Sequence, residues 1–328
     1  MNKLNSLILS AAFALVFTGY AQSEEVVLRA VTGLPAPSPV CQVFLEYVKK
    51  VNERGAGIVR IDYIGGPEAT PPARQGAALE RGIIDILHAP ASFYAGSVKE
   101  VDALLSVNRP ISEIRANGAF DLINELWGDQ LNAHLIGWFD STVEFNMYLT
   151  KEPEVTDDGV SLAGMKLFTT PTYRDFQAAL GATPVAMGVG EIMTGLDRGV
   201  IDGFGWPDYG LVALGFGRVA KYRIDPGYYS GNVLALINKD RWDSLPQPAR
   251  DVLNEVAIEW EAGAKDFIAN IKKTEQAELT AGGMQIIDLP QSAAEAYRSL
   301  AYGVLEDRLA ASGSPKAREL FDLLHAPE

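Results

Sequence analysis

An eight-residue phrase occurs twice in this chain. Ala78-Leu79-Glu80-Arg81-Gly82-Ile83-Ile84-Asp85 returns as Gly195-Leu196-Asp197-Arg198-Gly199-Val200-Ile201-Asp202, with 117 residues separating the two central glycines. Each copy reads as a helix stopped by Gly, followed by entry into a short apolar strand. Pro and aromatic residues then follow: Pro90-Ala91-Ser92-Phe93-Tyr94 after the first strand, Trp206-Pro207-Asp208-Tyr209 after the second. The offset is far too long for a solenoid period and suits two α/β lobes of like architecture. Ligands of open α/β sheets sit beyond the carboxyl ends of the strands. Two such ends facing each other predict a binding cleft.

The rest of the pattern supports two α/β units. Strands are predicted over Val26–Thr32, Ile58–Ile64 and Ile83–His88, alternating with a helix capped by Ser38 with Pro39 at its first position, and a helix over Pro72–Arg81. Strand, helix, strand with short connections implies a parallel sheet. A second series runs through Lys166–Thr169, a helix from Pro171 capped by Thr170, Thr183–Met187, a helix ending at Arg198, and Val200–Phe204. Tyr228–Asn238 reads as one buried strand. Val252, Val256, Trp260, Ala264, Phe267 and Ile271 then keep a helical period with no internal proline, predicting a helix from about Pro248 to Ala281 that braces both lobes. A last strand, Met284–Leu289, and two polar helices close the chain. No low-complexity linker is present, so the lobes should be joined by strands crossing between them.

Composition narrows the setting. The chain has 328 residues, 48% of them apolar, enough for about two domains with proper cores. Lys3 precedes an apolar run from Leu4 to Phe17, and Gly19 and Ala21 stand at −3 and −1 of a cut after Ala21. This is the pattern of a secretory signal peptide over residues 1–21, and the run is short for a membrane span of ~20 residues. Losing Lys3 takes the net charge from −14 to −15. An acidic chain with no basic run disfavours nucleic acid as a partner. The single cysteine, Cys41, cannot form an internal disulfide and reads as a packing residue.

Several stretches resemble the DctP-type solute-binding proteins of TRAP (tripartite ATP-independent periplasmic) transporters. They are Leu162-Ala163-Gly164-Met165-Lys166, Leu180-Gly181-Ala182-Thr183-Pro184-Val185, Glu191, and Leu196-Asp197-Arg198-Gly199-Val200-Ile201-Asp202-Gly203, with Gly65-Gly66-Pro67-Glu68 and Asp225-Pro226-Gly227-Tyr228-Tyr229 elsewhere. Each piece alone is weak; their order and spacing are specific. The resemblance implies a two-lobed periplasmic-binding-protein fold hinged by crossing strands and the long helix. Lobe I would hold 24–143 plus about 233–272, and lobe II 144–232 plus about 273–328. It implies a periplasmic receptor that closes on a small organic solute, usually a carboxylate, and delivers it to a permease of two membrane subunits. One departure matters. The family usually carries Arg two residues after the Lys of its G-x-K strand, where a guanidinium reads the ligand carboxylate in a fork. Here Lys166-Leu167 leads to Phe168. Phe145 stands where some relatives carry a second Arg. A cleft with these two phenylalanines predicts a solute with an apolar or aromatic part, or an anion held another way.

Candidate site residues follow from position. Arg174, in the first turns of the helix after Thr170, either supplies the missing cation or pairs with Asp175. Thr170 and that helix start offer hydroxyl and N–H donors. Trp206 is either core or cleft wall, and Asp208 either a ligand partner or a cap. Tyr209 follows them. Ser92 and Tyr94 hold the equivalent place in the first lobe, Glu68 follows a Gly-Gly-Pro turn, and Tyr173 adds an aromatic wall. His88, His134 and His325 lie far apart without metal-ligand spacing. No Gly-x-Ser-x-Gly elbow, dinucleotide fingerprint or converging acid/base pair appears. The sequence therefore predicts neither enzyme nor cofactor. The rival readings are a neutral or hydroxyl-rich solute, and a sensor presenting the same cleft to a membrane receptor.

Overall fold

The structure is a computed structural model and describes residues 24–326. The signal peptide read at residues 1–21, with its cut after Ala21, lies outside the described residues. In chain order the first elements are β1 (Val26–Thr32), α1 (Pro39–Arg54), β2 (Val59–Gly65), α2 (Pro72–Glu80), β3 (Ile86–Pro90), α3 (Ile111–Ala116), α4 (Ala119–Leu131) and β4 (Ala133–Gly137). The chain then crosses into β5 (Glu144–Leu149), a hairpin of β6 (Glu154–Thr156) and β7 (Gly159–Ser161), β8 (Lys166–Thr169), α5 (Arg174–Ala179), β9 (Thr183–Ala186), α6 (Ile192–Asp197), β10 (Gly203–Pro207), α7 (Leu211–Leu214) and β11 (Tyr222–Ser230). It crosses back into β12 (Val233–Asn238), α8 (Lys239–Ser244) and α9 (Gln247–Ala281), and ends with β13 (Gln285–Asp288), α10 (Gln291–Ala311) and α11 (Ala317–Leu324).

Beside the two-stranded β6-β7 hairpin, two main sheets result, ordered β2-β1-β3-β12-β4 and β13-β11-β5-β10-β8-β9. In the first, β1 runs parallel to β2 and β3, and β12 is antiparallel to β3 and β4. In the second, β8 runs parallel to β9 and β10, and β5 is antiparallel to β10 and β11. The two orders correspond: β3 and β10 hold the same place, and each is flanked by a strand that has crossed from the other lobe.

The repeated phrase builds the same turn twice. Gly82 and Gly199 both have φ +66°, a left-handed conformation costly for any side chain with a Cβ. Asp85 N donates to Arg29 O at 2.9 Å, and the Asp85 carboxylate accepts from Arg29 N at 2.7 Å. Asp202 does the same with Lys166, whose N–H reaches its carboxylate at 2.9 Å. Each Asp thus pins the start of a central strand to the neighbouring parallel strand.

Four expectations need correction. Both repeat strands begin three residues later than read, at Ile86 instead of Ile83 and at Gly203 instead of Val200, because each turn runs on through its Asp. Tyr228–Asn238 is two strands in different sheets, broken at Gly231-Asn232. A Cβ at Gly231 would stand 2.6 Å from the Asp140 carbonyl oxygen, so glycine lets the two crossing segments touch. The helix predicted from Pro171 starts at Arg174, after a turn in which Thr170 O accepts from Tyr173 N and Arg174 N. The final helix is not polar: Ala317, Leu320, Phe321 and Leu324 are buried in the core around α4 and β3. Residues 273–328 are therefore not all lobe II, since α11 returns to the first lobe.

The long helix braces both lobes. Its first half packs on α1, where Tyr47 Oη donates to Leu253 O at 3.1 Å and Trp260 Nε1 donates to Val43 O at 2.9 Å. Its second half reaches the other lobe: Leu279 joins Phe204, Leu211 and Phe216, and Glu275 accepts from Gly210 N. At ~1.5 Å per residue, its 35 residues span about 52 Å.

Candidate ligand-binding cleft

The carboxyl ends of β3 and β10 face a common cavity of about 340 Å³. One wall comes from the first lobe: Pro90, Ser92, Phe93 and the Gly33-Leu34-Pro35 turn. The opposite wall is aromatic, from Phe145, Phe168, Tyr173 and Trp206, with Thr170 and Thr172 beside them. The floor is the double crossing, through Asp140, Val143, Gly231 and Asn232, with Tyr209 alongside. Phe145 and Tyr173 stack at a tilt with ring centroids 5.5 Å apart, and Trp206 meets Phe216 edge-on at 5.4 Å, arrangements that hold aromatic walls in place.

Seven of the sequence candidates line this cavity: Ser92, Phe145, Phe168, Thr170, Tyr173, Trp206 and Tyr209. Four do not. Tyr94 turns into the first lobe's core, 3% exposed, beside the Trp127 indole. Glu68 is spent on its own turn, accepting from Gly66 N at 2.7 Å; that backbone N–H holds its carboxyl below the usual range. Arg174 is exposed and pairs with Asp175 at 3.0 Å, so it does not replace the missing cation. Asp208 is pulled away by Lys272 of α9 at 2.5 Å and also accepts from Glu144 N. Burial pushes its carboxyl up, with the Lys272 ammonium opposing.

Asp140, Thr172 and Asn232 were not anticipated. No motif marks Asp140; it reaches the cavity only because β4–β5 and β11–β12 cross at one place. Asp140 is 3% exposed. Both its carboxylate oxygens lie 3.3 Å from a single donor, Val233 N. Burial raises its carboxyl to about 7, against the lowering pull of that N–H, the Trp138 indole and Lys272. Among the described residues lining the cleft there is no Arg, Lys or His. Thr170 Oγ1 and Tyr209 Oη are buried in the cleft wall without a hydrogen-bond partner, a costly state that a solute's polar atoms would relieve.

A second cavity, about 570 Å³, lies behind the same crossing strands, lined by Asn108, Arg109, Ser141, Thr142, Glu144 and Lys265 among others. Asp140 and Phe145 line the front cavity, Ser141 and Glu144 the back one, and Val143 borders both. Only the front cavity sits at the strand ends of both sheets, and the aromatic wall is there.

Two α/β lobes that share a cleft at their strand ends, tied by two crossings and a bracing helix, make a bilobal solute-binding protein. More narrowly, the chain belongs to the DctP family, bacterial extracellular solute-binding protein family 7, whose sequence profile matches residues 130–308. Members are periplasmic solute receptors that work with TRAP transporter membrane components, not enzymes. A monocarboxylate 2-oxoacid-binding periplasmic protein from Nostoc sp. is 23% identical over 280 residues, 79% of this chain and 72% of that protein. A TRAP solute-binding protein from Desulfovibrio salexigens, solved with orotic acid, superposes with TM-score 0.77 at 21% identity, covering 91% of this chain and 97% of that one. A Bordetella pertussis receptor binding pyroglutamic acid superposes with TM-score 0.73 at 15% identity, covering 91% and 99%. At these identities the two structures speak for the fold alone.

Proposed function

We propose that this protein captures a small organic acid with an apolar or aromatic part and delivers it to a TRAP importer of two membrane permease subunits. Export with cleavage near Ala21 places it in the periplasm. The aromatic wall of Phe145, Phe168, Tyr173 and Trp206, in a cavity of about 340 Å³, carries this reading. The family relatives that bind 2-oxo acids, orotate and pyroglutamate support it. The solute's polar end would meet Ser92, Thr170, Thr172 and Asn232 instead of a guanidinium. Capture makes and breaks no bond. Contacts from both lobes favour the closed form, which the permease reads. The moving bodies are lobe I, built on 24–143 and β12, and lobe II, built on 144–230, swinging about the crossings near Asp140 and Gly231.

The test is a thermal-shift panel of 2-oxo acids, aromatic acids, sugar acids and neutral polyols, since a ligand of the native state stabilises by RT ln(1 + [L]/Kd). Organic acids are expected to raise the melting temperature. The cation-free lining favours one second reading, a neutral or hydroxyl-rich solute. A response to polyols alone would establish it and overturn the acid.

A further inference from the structure

Resting on the organic-acid reading, we propose that Asp140 is the specificity residue of the cleft: it carries a proton in the complex and donates a hydrogen bond to the solute's carboxylate, so that capture is coupled to proton uptake. The geometry leaves few alternatives. Asp140 is the one carboxylate among the described residues lining a cavity that has no cationic side chain. Its oxygens meet Val233 N only at 3.3 Å, with its own backbone N–H and the Trp138 indole also near, which leaves part of their hydrogen-bonding capacity unused. It sits on the crossing itself, where both lobes converge on a bound solute.

The charged and titratable groups around it are committed elsewhere. Lys272, from α9, is the cation felt by Asp140, and its ammonium is engaged by Asp208 at 2.5 Å and by Thr142 O at 2.7 Å. Asp208 and Tyr209 follow β10; the first is tied to Lys272, and burial drives the phenol of the second well above its ordinary range. Tyr94 follows β3 and is likewise driven up by burial. Trp138, on its own segment, contributes an indole and no charge. An anion entering here would stand against Asp140 with nothing new to neutralise it. Two carboxylates sharing a dry site keep one proton between them. Burial already brings free Asp140 to the edge of protonation near neutral pH. The proton comes from solvent, bonds to Asp140 Oδ and points to the ligand oxygen. Release above neutrality returns it to solvent.

Calorimetric titration of the mature protein with 4-methyl-2-oxopentanoate, orotate and pyroglutamate at pH 6.0, 7.0 and 8.5 tests this. The carboxyl groups of all three are fully ionised throughout, so their titration does not enter. Affinity for an acid that binds is expected to fall about 30-fold from pH 6.0 to 8.5, since only the protonated fraction is competent. At pH 8.5, heats measured in two buffers of different ionisation enthalpy should differ by the uptake of about one proton. Asp140→Asn, which keeps a donor, should bind with a flat pH profile and no proton uptake. Affinity that is flat or rises with pH in the unmodified protein overturns the role of Asp140 and leaves the organic-acid reading standing. Failure of all three acids to bind at pH 6.0 overturns both. The wild-type arms decide the matter even if the variant does not fold.

Discussion

The two copies of the repeated phrase fold alike and then part company. Up to the strand they agree in detail: the same left-handed glycine, the same Asp carboxylate on the neighbouring strand's N–H. Beyond the strand the first lobe turns into a short 3₁₀ helix, Ala91–Phe93, and buries Tyr94 in its own core. The second runs Trp206 along the cleft and is strapped to the brace helix through Asp208–Lys272 and Gly210–Glu275. One lobe offers a small, Pro-rich rim, the other an anchored aromatic wall. The scaffold is shared because it supports the sheets. The strand-end loops differ because they form opposite walls of the cleft and only the second meets the brace.

The sharpest way to break this contrast is Lys272→Ala. It leaves Asp208 buried without its cation, and stability should drop by about 3 kcal/mol in urea titrations. Ser92→Ala, at the unstrapped rim, should stay within about 0.5 kcal/mol. A Lys272→Ala cost as small as that would mean the strap holds nothing. Affinity is expected to show the same asymmetry. Trp206→Ala should weaken solute binding by about 2 kcal/mol, roughly 30-fold, and Ser92→Ala by about 1 kcal/mol or less. Equal losses from the two walls would place the solute centrally and remove the aromatic preference.

The shared half of the comparison predicts equality. Gly82→Ala and Gly199→Ala should each cost about 1–2 kcal/mol from left-handed strain. A Cβ at Gly82 comes no nearer than 3.9 Å to Asn238, and at Gly199 it meets open space, so neither carries a clash. A clear inequality in urea midpoints would show that the turns are not equivalent.

The smallest effect is in acid. Burial opposes ionisation of Asp202, but its Lys151 pair and the Lys166 N–H win and hold its carboxyl below the ordinary range. A depressed carboxyl stabilises above the unfolded-state pKa, and that contribution is lost as pH falls through the folded-state value. The stability gap between wild type and Asp202→Ala should therefore narrow on acidification. Asp140 has the opposite sign. Its raised carboxyl means the folded state holds a proton the unfolded state has released, so its contribution declines as pH rises from the ordinary carboxylate range toward 7. Asp140→Asn should accordingly gain relative stability between pH 5 and 8 in melting curves.

Much of the fold is legible in the sequence. The helix–Gly–strand phrase located a central strand in each sheet, because a left-handed turn needs glycine wherever it occurs. The unbroken period from Val252 to Ile271 located the brace. Phe168 at the usual Arg position announced an apolar cleft, and the aromatic wall is there. Arg174, Glu68, Tyr94 and Asp208 misled because each has a local or cross-lobe partner that spacing does not reveal.

The sequence by itself determined the two matched α/β scaffolds, the long helix and the aromatic character of the site, all of which rest on local periodicity and on glycine's backbone freedom. Only the tertiary structure decided which polar groups line the cleft. It tied Asp208 to Lys272, sent α11 back to the first lobe, split Tyr228–Asn238 between two sheets and set Asp140 at the crossing. Those outcomes depend on contacts between residues many tens of positions apart, and burial of a charge is a property of the assembled surroundings, not of the residue that carries it.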